Sequence, residues 1–169
     1  MKFTTLLAPA VAAASFLSAP VEAGSTQDVV RLIELVKGTG TQVSVNTNQY
    51  DENCKGRHGY YVYEKDEIDL MVVCEDQTNT DNADEVWETV AHESMHIAQA
   101  CVGGGPLMPA KYHPRFLREL RTLAPHYAKT LMDYSGNKQL AELEAFWAEL
   151  QEPAKIIGLF ELACYSEEN

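Results

Sequence analysis

"VWETVAHESMHIAQAC", Val86 to Cys101, contains His92, Glu93 and His96 in the pattern His-Glu-x-x-His. On a helix each residue advances by about 100°, so residues four apart lie one turn apart on one face. His92 and His96 therefore share a face, with Glu85, Thr89 and Gln99 near it. Val86, Val90, Ser94, Ile97 and Cys101 fall on the opposite side as a mostly apolar stripe. Such a helix packs by one side and presents both imidazoles from the other, which is what two histidines need to grip one metal ion. Glu93 stands beside them, where a carboxylate reaches a metal-bound water without itself being a ligand.

Working outward, "QTNTDNAD" before this stretch is a loop that supplies a helix cap at Asp81 or Asn82 and predicts a helix over 83–101. Ahead of it, "YYVYE" and "IDLMVVCED" are β-rich runs separated by Lys65, Asp66 and Glu67, the pattern of a hairpin. In the second run Ile68, Leu70, Val72 and Cys74 alternate with Asp69, Met71 and Val73. Residues 26–37 carry Val29, Val30, Ile33 and Val36 at helical spacing, with Gly38 and Gly40 as a stop, and "TQVSVNT" reads as a short strand. After the motif, "VGGGPLMPAKYHP" is irregular, since three glycines and three prolines break regular structure, and its residues 102–112 read as a flexible rim. Helices follow over 115–134, 138–151 and 154–165, the first kinked or split at Pro125. The fold class expected is α+β: a small antiparallel-edged sheet packed on the motif helix, with further helices C-terminal to it.

The chain has 169 residues, enough for one domain. Met1 and Lys2 precede the uncharged run "FTTLLAPAVAAASFLSA", and Val21 and Ala23 stand as small residues before a cleavage point. Residues 1–23 are thus expected to be a signal peptide cut after Ala23, leaving 24–169 as the domain, secreted or periplasmic and without stable membrane insertion. The net charge is −12, and losing Lys2 and Glu22 leaves it unchanged. Nucleic-acid affinity comes from neutralising phosphates with Lys and Arg, so nucleic acid is excluded as an expected partner. Four cysteines in an exported chain imply disulfides, and of the three pairings Cys54–Cys74 and Cys101–Cys164 are favoured. The first brackets the hairpin and the second ties the motif helix to the last helix. No C-x-x-C pair suggests a cysteine metal site.

A catalytic zinc usually has three protein ligands and one open position. A metzincin would place Gly three and His six positions after His96, but Gln99 and Val102 stand there. His113, His126 and Asp133 are possible ligands. The helix "KQLAELEAFWAEL" offers Glu142, Glu144 and Glu149, around a buried face of Leu140, Leu143, Phe146, Trp147 and Leu150. Glu142 and Glu144 flank that face about equally, so phase does not choose between them.

His92-Glu93-x-x-His96, followed 48 residues later by "ELEAFWAE", resembles the gluzincin branch of zinc metallopeptidases. In several small families of that branch the third ligand is a Glu followed by Ala, with a small residue or Asp one turn on. Glu144, Ala145 and Ala148 match that pattern. The chain is also similar to small zincin-like proteins of cyanobacteria and their phages, whose motif helix is likewise followed by a Gln and a Cys. The specific part of the resemblance covers residues 60–101 and 140–149. It implies a minimal zincin-like fold, Zn²⁺ held by His92, His96 and Glu144, and a peptide or protein substrate. It also implies that an edge strand above the motif helix pairs with the substrate backbone, a role assigned to "IDLMVVC".

The expected function is an exported zinc metallopeptidase with Glu93 as general base. Tyr127, Tyr134, His113 and His126 are candidate donors to the oxyanion. The rival expectations are a non-catalytic zinc-binding module of the same fold and a metal-free, disulfide-stapled interaction domain.

Overall fold

The computed structural model describes residues 24–65 and 67–166. The expected signal peptide over 1–23 lies outside the described residues. Six helices and three strands follow in the order α1 (Thr26–Gly38), β1 (Gln42–Asn46), β2 (Gly59–Glu64), β3 (Ile68–Cys74), α2 (Ala83–Cys101), α3 (His113–Leu123), α4 (Pro125–Thr130), α5 (Gly136–Glu149) and α6 (Pro153–Tyr165). The fold is α+β, as the order of patterns in the chain implies.

Local chemistry sets the boundaries. The Ser25 hydroxyl caps α1 at the Asp28 amide, and the Asp28 carboxylate reaches back to the Ser25 amide, a reciprocal capping box. Of the two cap candidates for α2, Asn82 is the one used: its Oδ1 accepts from the Asp84 amide at 3.1 Å. Pro125 splits the expected long helix. Ala124 between α3 and α4 takes φ −140° and ψ 69°, outside the helical region that a following proline disfavours.

The sheet has the order β1-β3-β2. β2 and β3 form the expected hairpin, antiparallel with Tyr61 opposite Met71. β1 adds parallel to the other side of β3, with Val43 opposite Met71. β3 is therefore the central strand, paired on both edges, and the expectation that "IDLMVVC" offers a free edge to substrate is corrected. The outer edge on the hairpin side belongs to β2.

The C-terminal half of β3, Met71 to Cys74, is also buried on both faces. Met71 and Val73 face the main core, while Val72 and Cys74 pack with Cys54 under the loop that precedes β2. The main core is built round α2, whose Val90, Ala91, Met95, Ile97 and Ala98 are buried among Leu32 and Val36 of α1, Trp147 of α5 and Phe160 of α6. Each of the larger aliphatic and aromatic side chains contributes about 1.5–3 kcal/mol of apolar burial, which is what anchors the helix carrying the histidines. Both favoured disulfides are present. Cys54–Cys74 fastens the loop to the end of β3, and Cys101–Cys164 joins the end of α2 to α6. Among the described residues no helix is long and apolar enough to cross a membrane.

Candidate metal centre

His92 and His96 point from α2 towards α5, and the side chain that meets them there is Glu142. His92 Nε2 lies 3.3 Å from His96 Nε2, and Glu142 Oε2 lies 3.5 Å and 3.7 Å from the two nitrogens. A tetrahedral ion with bonds of about 2.0–2.2 Å holds its ligands about 3.3–3.6 Å apart, so the triangle matches one face of such a coordination shell. His92, His96 and Glu142 can hold a metal ion.

The outward nitrogens fix the chemistry of the inward ones. His92 Nδ1 is 2.6 Å from Glu149 Oε1, and a carboxylate only accepts, so the ring proton sits on Nδ1. His96 Nδ1 is 3.0 Å from Gln99 Oε1. The orientation of the Gln99 amide is determined, because its Nε2 faces two acceptors, the Ala141 carbonyl at 3.1 Å and Glu144 Oε2 at 3.0 Å. In their neutral forms both imidazoles therefore turn an Nε2 lone pair to the centre, where a carboxylate oxygen joins them. Three lone-pair atoms facing one another repel unless a cation or a proton lies between them. Carboxylate and amide partners behind ligating histidines are also what sets tautomer and basicity in metal sites.

The electrostatics of the site make the same demand for positive charge. Burial pulls the His92 pKa down, but Glu142 and Glu149 outweigh it and raise it to about 10. Burial likewise opposes ionisation of Glu142, yet His92 and His96 lower its pKa to about 2. Glu93, only 6 % exposed, moves the other way: its burial raises its pKa more than the two histidines lower it.

Placement on α5 follows from helical phase. Glu142, Phe146 and Glu149 are spaced at i, i+4 and i+7 and share the face turned to α2. Phe146 separates two rings, with His92 edge-on at 4.9 Å and Tyr127 stacked at 4.8 Å. Glu144, two residues past Glu142, points about 200° round the helix from it. Its carboxylate is fully buried and accepts from Gln99, the Leu107 and Met108 amides and His113 Nε2. Glu144, expected as the third ligand, is thus engaged on the far side of Gln99, and Glu142 takes its place beside the histidines. Glu149, weighed only as a ligand, instead accepts from His92. Its seven-residue spacing from Glu142 was the available signal.

The centre opens into a cleft of 830 Å³. One wall is the start of β2, Gly59 to Tyr61, with Arg57 and His58 just before it, and the opposite wall carries His126, Tyr127, Tyr134 and Lys138. Glu93 lines the floor between them. Gly59 permits the close approach of β2 to this floor: a Cβ there would meet Thr89 Cγ2 and the Val72 carbonyl at 2.7 Å and Glu93 Cγ at 3.3 Å. Of the four candidate oxyanion donors, His126, Tyr127 and Tyr134 line the cleft, whereas His113 is buried against Glu144. Tyr127 is partnered by Glu149, and its pKa is raised by burial first and by that carboxylate next. Burial and the nearby Glu142 charge also raise the Tyr134 pKa, which keeps its phenol protonated.

No family model matches the chain, and comparison with curated proteins and with solved structures likewise gives no match.

Proposed function

We propose that the protein is an exported zinc-dependent peptidase. The observation that carries this reading is the convergence of two Nε2 lone pairs and one carboxylate oxygen at the edges of a tetrahedral face, with the buried Glu93 in the same cleft. Three ligands rather than four leave a coordination position free, which distinguishes a catalytic site from a closed structural one. Two imidazoles and one carboxylate suit zinc among the common divalent ions.

His92, His96 and Glu142 would hold the ion. When bound, zinc supplies Lewis acidity, which brings a water's pKa to about 7 and polarises a carbonyl. Glu93 takes the proton of the attacking water and passes it to the departing amine. Its burial favours that role, because a carboxyl group held above its ordinary pKa keeps a proton long enough to deliver it. Glu142, held ionised by the histidines, cannot exchange roles with it. Tyr134 supplies a protonated hydroxyl on the opposite wall as the donor to the developing oxyanion. The substrate backbone lies along the outer edge of β2, where Gly59, Tyr60 and Tyr61 line the cleft and the strand has no partner within the described sheet. Export agrees with both disulfides, which persist in oxidising compartments.

The decisive experiment pairs metal content with turnover of an unstructured protein substrate by wild type and by Glu93→Gln. One zinc per chain in both proteins, with turnover in wild type alone, is the expected result. A Glu93→Gln variant as active as wild type would refute the assignment. Equal metal binding with no turnover in wild type would favour a non-catalytic zinc module.

A further inference from the structure

The Glu144 carboxylate has no exposed surface and four N–H donors: Gln99 Nε2 at 3.0 Å, the Leu107 amide at 2.6 Å, the Met108 amide at 2.8 Å and His113 Nε2 at 2.8 Å. An ionised carboxylate is kept in an interior only where such donors replace its water. Two of the four belong to the stretch between α2 and α3, where Gly103, Gly104 and Gly105 all take positive φ, and His113 is the first residue of α3 after it. The same carboxylate therefore anchors the glycine-rich segment at its Leu107–Met108 end, and the segment is not the free rim its composition suggests. The fourth donor, Gln99, is itself buried and reaches His96.

A Gln amide can turn over, exchanging its oxygen and nitrogen. With Oε1 towards His96, the ring proton rests on Nδ1 and Nε2 is free. Turned over, the amide would donate to Nδ1 and drive the proton to Nε2, which blocks the atom that faces Glu142. The turned amide would also set its oxygen against the Ala141 carbonyl and Glu144 Oε2, three acceptors together.

Building on the metal-centre reading, we propose that Glu144 is a positioning residue. Through Gln99 it holds His96 in the tautomer that presents Nε2 to the ion, and through Leu107 and Met108 it couples that tautomer to the order of the segment over α5. The coupling runs both ways, because linkage between two sites is reciprocal. An ion on His96 Nε2 holds the proton on Nδ1, which holds Gln99, which holds Glu144 in the position that receives the two amides.

The test uses the full mature chain, with zinc ion as the probe. Glu144→Gln replaces the carboxylate by a side chain that can donate to a turned Gln99. In that variant the ¹⁵N shifts of the metal-free His96 ring are expected to show the proton moving to Nε2. Zinc affinity, measured by competition with a chelator, is expected to fall about ten- to hundredfold. In the wild-type chain, zinc is expected to slow hydrogen exchange at the Leu107 and Met108 amides. A folded variant with the wild-type His96 tautomer and wild-type affinity overturns the proposal. So does wild-type protein that binds zinc while exchange at both amides stays unchanged, and this second measurement decides the matter if Glu144→Gln does not fold. Wild-type protein that takes up no zinc refutes the metal centre itself, a result distinct from either of these.

Discussion

His92 Nδ1 and Glu149 Oε1 lie 2.6 Å apart, a contact between helices whose partners are 57 residues apart in sequence. With Glu142 one face-repeat earlier on α5, two carboxylates of one helix address opposite nitrogens of one imidazole. Glu142→Gln is expected to abolish tight zinc binding, since it replaces an anionic ligand. Glu149→Ala should retain zinc but weaken it by about ten- to hundredfold, the usual effect of removing the group behind a ligating histidine. Chelator competition on both variants checks this order. A Glu149→Ala chain that loses zinc as fully as Glu142→Gln would make Glu149 a ligand instead.

At this centre a proton and a metal ion would compete for the same atoms. The folded-state pKa of His92 is raised from 6.5 to about 10 in the metal-free chain, so its stabilisation is complete below pH 6.5 and is lost as pH rises through 10. That of Glu142 is lowered from 4.5 to about 2, so its contribution is complete above pH 4.5 and is lost as pH falls towards 2. Metal-free protein should therefore melt highest between these limits and lower above pH 6.5. Zinc must displace the His92 proton, so its apparent affinity should rise about tenfold per pH unit between pH 6.5 and 8. Melting curves with chelator and with zinc across pH 5–9 test both signs; a zinc effect that shrinks towards alkaline pH would contradict them.

Gly59 is the point where β2 comes down on Thr89 and Glu93. Gly59→Ala forces the strand away from the Val72 carbonyl, which backbone cannot yield without moving the sheet. A destabilisation of about 1–3 kcal/mol is expected, with turnover reduced by more than the loss of folded protein explains. Denaturant melts beside activity per folded molecule provide the check. Unchanged stability would show that the strand has room to spare.

The two disulfides close loops of different length, 20 and 63 residues. In the chain-entropy account their removal costs about 3 and about 4 kcal/mol respectively. Cys101→Ser with Cys164→Ser should therefore lower the denaturation midpoint further than Cys54→Ser with Cys74→Ser. The reverse order would assign the stabilisation to local packing at β3 rather than to loop closure.

Much of this is legible in the sequence. The phase of His92 and His96, the hairpin, the break at Pro125 and both cysteine pairings all depend on short-range chemistry or on elements already placed in order. Which glutamate would stand beside the histidines is not legible there, because Glu142 and Glu144 flank the apolar stripe of α5 symmetrically. The choice rests on how α5 rolls against α2 and on where Leu107 and Met108 offer their amides, both long-range matters. The rank of β3 was hidden for a similar reason. Alternation along "IDLMVVC" describes its two faces, but pairing with β1 is a contact across 28 residues that no local pattern records.

The bond between Cys101 and Cys164 has a further consequence for a chain cut within Gly103–Gly105. His92, Glu93 and His96 would then belong to one polypeptide, and Glu142 and Glu149 to another. Cys101 lies on the first piece and Cys164 on the second, so the halves would remain a single covalent molecule. Such a nicked protein would keep its candidate metal ligands, now from two chains, in one molecule. It would migrate as one species until reduced, and would come apart into its two halves only then.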